Sequence, residues 1–152
     1  MINNDILRRV GTIFGLSDDK MLAVFALGKC KVSVDQLSDF YKEKDNSAYK
    51  EMLDVELAGF LNGLILEKRG PSDGPARDNE QVLTNNTVFN KLKIALALKA
   101  DDVTAILNTS EINLGKHELS ALFRSANHKH YKLCSDDLLS GFLKGLKEKF
   151  KS

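Results

Sequence analysis

The chain has 152 residues, 43% of them hydrophobic and 28% charged, and its 22 basic and 21 acidic side chains leave a formal charge of +1. A chain of this length can bury a core without help from disulfides or metal, and its near-neutral balance excludes a phosphate-gripping basic surplus spread over the whole domain. No apolar run approaches the roughly 18–20 residues of a membrane span, the polar start from Met1 to Arg9 lacks the features of a signal peptide, and Cys30 and Cys134 form no CxxC pair, so a reducing cytoplasm is the expected compartment.

The first helix is predicted from Ile6, Leu7, Val10, Ile13 and Phe14, a spacing that only a helix gathers on one face. Asn3 or Asn4 is the expected N-cap and Gly15 the terminator. Ser17 or Asp18 opens a second helix carrying Met21, Leu22, Val24 and Phe25, which Gly28 closes. Ser33 and Gln36 have capping-box spacing ahead of a third helix with Leu37, Phe40 and Tyr41. A fourth, capped by Asp54, carries Leu57, Phe60, Leu61, Leu64 and Ile65. Residues 69–84 follow, holding both prolines, Pro71 and Pro75, with Gly70, Ser72, Asp73 and Gly74, and read as an exposed, cleavable linker.

The same order then recurs. Shifted by 82 positions, residues 3–68 align without a gap on 85–150, and 16 of the 66 pairs are identical. Asn3-Asn4 meets Asn85-Asn86, Asp54 meets Asp136, and Leu57, Gly59, Phe60, Leu61, Gly63 and Leu64 meet Leu139, Gly141, Phe142, Leu143, Gly145 and Leu146. No segment alternates with period two, although the connectors near residues 31–34 and 111–114 could be extended. The fold predicted is all-α: two tandem four-helix repeats packed as one body about a pseudo-twofold axis. Each 66-residue copy is close to the size at which a core is marginal, so the halves are expected to share a core and unfold together.

Duplication also sorts the polar residues. One kept in both copies reads as a cap or a buried satisfier; one found in a single copy is the better functional candidate. Gly59 and Gly63, with Gly141 and Gly145, lie four apart inside helices, where each glycine costs about 0.8–1 kcal/mol against alanine. Close approach of a neighbouring backbone is the expected compensation, with the two fourth helices against each other as one arrangement. Asn3, Asn4, Asp54 and their counterparts read as caps. Asp18-Asp19 and Asp101-Asp102 open helices, where negative charge suits the dipole. Adjacent helical positions diverge, so neither pair is a catalytic dyad.

His128, His130 and Cys134 are metal-ligand types in one loop, but no fourth ligand is evident. Lys29 and Lys31 flank Cys30 and could lower its pKa. No serine-nucleophile or zinc-protease signature occurs, so no catalytic residue, metal or cofactor is expected. A helix–turn–helix would place Asp35 and Asp39 on its recognition helix and no arginine, which disfavours it, although Lys116, His117 and Arg124 of the second copy suit DNA better. Residues 3–68 carry nine basic and 11 acidic groups, and residues 85–150 ten and seven, so the copies differ in sign. The preferred partner-contact candidates are Asn62, Glu67, Lys68 and Arg69, which have no counterpart in kind.

The segments Asn3 to Arg8, Phe60 to Ile65 with Glu67 to Gly70, and Leu92 to Ala95 followed by Asp101-Asp102 resemble the YehS-like family. That family consists of bacterial proteins with two copies of a domain of unknown function. The resemblance covers essentially the whole chain and implies a cytoplasmic bacterial protein; it brings no activity, cofactor or catalytic residue. The function expected is therefore a non-enzymatic helical binding or adaptor protein with a protein partner. Nucleic-acid binding through the basic second repeat is the alternative, an enzyme of unrecognised class the third, and a homodimer is open.

Overall fold

The computed structural model describes residues 1–71 and 78–151. The expectations placed on Ser72, Asp73, Gly74 and Pro75 lie outside those residues. Eight helices are described: α1 (Asn3–Ile13), α2 (Asp18–Leu27), α3 (Val34–Phe40), α4 (Asp54–Arg69), α5 (Asn85–Ala95), α6 (Ala100–Thr109), α7 (Lys116–Leu122) and α8 (Asp136–Lys149). No strand occurs among the described residues. The chain forms two compact units, Met1–Leu83 and Thr84–Ser152, each with four helices. The starts of the four helices in one unit and the other differ by 82 throughout.

In the first unit α4 packs most extensively on α2, and its run from Leu57 to Ile65 is buried all round. Ile6, Leu7 and Val10 of α1, Met21, Val24 and Phe25 of α2, and Leu37 and Phe40 of α3 complete that core. Phe25 sets its ring 5.0 Å from Phe60 and 6.5 Å from Phe40. The second unit repeats this with Phe89, Val103, Leu107, Leu119, Leu122, Leu139, Phe142 and Leu143. Its aromatic cluster has moved: Phe89 of α5 stacks on Phe142 at 4.0 Å and meets Phe123 edge-on at 5.3 Å.

Helix ends show which sequence signals act. Ser17 accepts from the Lys20 N–H, and Ser33 and Gln36 close the expected reciprocal box. Gly15 ends α1 with φ +59°, and Ala97 ends α5 in the same left-handed turn at φ +53°. The asparagines and aspartates expected as caps are not caps. α1 starts from Ile2 with no side-chain cap, α5 from Thr84, whose hydroxyl accepts from the Thr87 N–H, α4 from Leu53, and α8 from Ser135, whose hydroxyl accepts from the Leu138 N–H. Asp54 and Asp136 are first helical residues, and the asparagines face inward across the chain.

Candidate functional site

Each asparagine pair latches the long loop before the last helix of its unit. Asn4 is fully buried; its amide donates to the carbonyls of Phe40 and Lys50 (2.9 Å each), and its oxygen accepts from the Met52 N–H at 2.8 Å. Asn3 donates to the Met52 carbonyl and to Asp54 Oδ1. Asn86 repeats the first pattern with Leu122, Lys132 and Cys134, and Asn85 the second with Cys134 and Asp136. A buried amide satisfied at both ends fixes where two chain segments cross, because leaving either end unpaired costs about 1–3 kcal/mol. The asparagines and aspartates held in common at these positions are thus engaged in holding the fold.

The shared glycines form a close seam, and the neighbour is the second helix of the same unit. A Cβ on Gly63 would stand 1.9 Å from the Val24 carbonyl oxygen, and one on Gly28 would stand 1.7 Å from that of Gly59. In the second unit a Cβ on Gly145 would lie 2.4 Å from the Ile106 carbonyl oxygen. At Gly28, Gly63 and Gly145 the faces are thus covered by backbone of the facing helix.

Part of the expected linker is docked on the first unit. Asn79 donates to the Gly28 carbonyl at 2.8 Å, and its oxygen accepts from Asn62 Nδ2 at 3.0 Å. The Leu83 N–H donates to Asp54 Oδ2 at 2.9 Å. Residues 78–83 therefore strap α2 and α4, and Asn62, 2% exposed, is an anchor beneath the strap and not a surface contact. A cleft of about 420 Å³ lies beside it, against Asn3, Glu51, Leu53, Asp54, Val55 and Gln81. Both Asp54 carboxylate oxygens there accept hydrogen bonds, from Asn3 and from the Leu83 N–H.

The other candidates from α4 are at its exposed end. Glu67 pairs with Lys20 of α2, and the Lys68 ammonium sits 4.9 Å from the centre of the Phe14 ring. Arg69, the last helical residue, is exposed, as is Leu66 at 37%. Glu67, Lys68 and Arg69 are thus exposed in the last turn of α4, Glu67 turned to Lys20 and Lys68 to Phe14, whereas Asn62 is buried beneath the strap.

Both thiols are held toward their protonated form. Burial, then the nearby Asp136 carboxylate, pushes Cys134 up to about 11. Burial also raises Cys30, with Glu56 adding to it, so the lowering expected from Lys29 and Lys31 is overruled. Among the described residues no three His, Cys, Asp or Glu side chains come together as a metal site. His128 instead accepts from the His130 N–H at 3.0 Å. No helix among the described residues is long and apolar enough to cross a membrane.

Sequence reasoning missed Arg8, which is present only in the first copy. Its guanidinium donates to the carbonyls of Tyr41 and Lys42, closing the end of α3. A basic residue opposite a helix C-terminus is the usual signal for such a role, but 33 residues separate these partners.

The family model described as "Protein of unknown function (DUF1456)" matches the chain twice, over residues 3–70 and 85–151. The chain is also 37% identical, over 147 residues, to the "Uncharacterized protein YehS" of Escherichia coli (strain K12), covering 96% of this chain and 94% of that one. No solved structure matches.

Proposed function

The chain belongs to the DUF1456 family, and from that premise we propose that it is a non-catalytic helical binding protein whose partner is another protein. The observation that carries this reading is the division of its polar residues. Asn3, Asn4, Asp54 and their counterparts are spent on holding loops, while Glu67, Lys68 and Arg69 remain at the exposed end of α4. That helix end carries one negative and two positive side chains next to a partly exposed Leu66. Such a mixture suits a protein's mixed-charge surface better than a phosphate backbone, which would repel Glu67.

The test is capture of partners by the full chain and by a Glu67→Lys/Arg69→Glu variant, after crosslinking in the native cell. A stoichiometric protein retained by the parent and lost by the variant, at an unchanged melting midpoint, is the expected result. Identical captured sets for the two chains would refute the assignment of this surface.

A further inference from the structure

We propose that the loop between α7 and α8, from Arg124 to Lys132, binds single-stranded nucleic acid. This site is in the other unit from the α4 end and does not rest on the protein-binding reading. The first unit supplies an internal control, because its loop between α3 and α4 makes the same turn. There Asn46 Oδ1 accepts from the Ala48 N–H at 2.9 Å; in the second unit His128 Nδ1 accepts from the His130 N–H at 3.0 Å. The Tyr49 N–H donates to the Asn46 carbonyl, and the Tyr131 N–H to that of His128. The backbone has been kept and the charge has not.

Residues 42–51 carry three lysines balanced by Glu43, Asp45 and Glu51. Residues 124–133 carry Arg124, Lys129 and Lys132 with no acidic residue. Lys42 is paired with Asp39 at 3.0 Å, but Ala121 stands where Asp39 would be, so Arg124 has lost that carboxylate. Its Nη1 lies instead 3.3 and 3.5 Å from the two ring nitrogens of His128, and the His128 and His130 rings are 5.6 Å apart. Lys132 shares Glu118 at 3.5 Å, both side chains about half exposed.

An exposed loop of one sign attracts phosphates. Two imidazoles and a guanidinium beside them add flat surfaces on which unpaired bases can stack, as histidine and arginine planes do in single-strand recognition. A duplex keeps its bases stacked inside and could use the cations alone. An acidic protein would use the cations but not the planes. The combination therefore favours a single strand.

The experiment is fluorescence anisotropy of the full chain with a labelled 15-nucleotide oligouridine across a salt series. Three phosphate contacts predict a log–log salt slope of about −2, or roughly twentyfold weaker binding between 50 and 200 mM salt. Giving the loop the first unit's residues by Ser125→Glu, Asn127→Asp and Lys129→Ser should weaken binding at least about tenfold; Lys129→Ser alone should flatten the slope by about 0.7. The positions are exposed, and an unchanged melting midpoint verifies folding. His128→Asn/His130→Ala should weaken oligouridine binding and spare any duplex binding. Absence of binding at 50 mM salt, or equal binding by the exchanged loop, would overturn the proposal. So would equal affinity for a duplex, or loop-dependent capture of polyglutamate in place of the oligonucleotide.

Discussion

In the first unit Gly28 has no side chain, and the backbone of α4 comes so close that a Cβ there would overlap the Gly59 carbonyl. In the second unit Ser110 stands at that place and its hydroxyl donates to the Gly141 carbonyl at 2.7 Å. Over Gly59 stand Cys30 and the strap residue Asn79; over Gly141 stands Ile112. At the Gly59 end the first seam is closed by bare backbone and a borrowed strap, while at the matching Gly141 end the second is closed by a hydroxyl and an aliphatic side chain. The aromatic clusters teach the same lesson. Leu7 with Phe25 in one unit becomes Phe89 with Leu107 in the other, so volume is conserved across α1 and α2 while individual residues are not.

The seams should differ most in what a single side-chain exchange costs. Gly28→Ser should cost about 4 kcal/mol or more, since backbone must move to admit it, whereas Ser110→Gly should cost only about 1 kcal/mol for the lost hydrogen bond. Chemical denaturation of the two variants measures the asymmetry, and equal losses would mean that the seams are interchangeable. Next comes the volume exchange. Leu7→Phe and Phe25→Leu should each destabilise by about 1–3 kcal/mol, and together by less than their sum, with a coupling of about 1 kcal/mol or more. A double-mutant cycle with no coupling would dissolve the comparison.

Reactivity separates the thiols more gently. At pH 8 native Cys134 is held protonated by burial and Asp136, so alkylation should be much slower than in denatured chain and should accelerate only as pH approaches 11. Half-buried Cys30 should react faster than Cys134 at the same pH, as mass spectrometry of partly alkylated chain would show. The smallest effect is backbone strain. Gly15→Ala should lose about 1 kcal/mol, because φ is positive there and no neighbour lies within 4 Å to change the balance. Ala97→Gly should gain about 0.5 kcal/mol at the matching turn.

The helices were legible because their apolar residues keep helical spacing twice over, at one constant offset. The small-residue faces of α4 and α8 were legible too, since a glycine pair in a helix needs a reason. Their neighbour was not, because periodicity says which face is buried and not which helix covers it. The asparagines misled for a related reason: a cap is a local signal, while Asn4 bonds residues 36 to 48 positions away. The strap was hidden by composition, since a stretch with prolines and glycines reads as exposed whether or not Asn79 docks. Asn62 could be picked out as unmatched in the second copy, but only the fold reveals that its amide faces inward to that strap. Arg8 is likewise unmatched and structural. Absence from one copy therefore selects candidates, and exposure must then divide them.

The asparagines held in common maintain the fold, whereas exposed, unmatched side chains such as Lys129 contribute little to it and are the ones proposed for recognition. Thermal unfolding of Asn86→Ala beside Lys129→Ser in the full chain separates the two classes of residue. Asn86→Ala strips three hydrogen bonds and should cost about 2–4 kcal/mol, lowering the midpoint by several degrees. Lys129→Ser should remain within about 0.5 kcal/mol of the parent. Comparable losses from the two substitutions, or a larger loss from Lys129→Ser, would contradict the division.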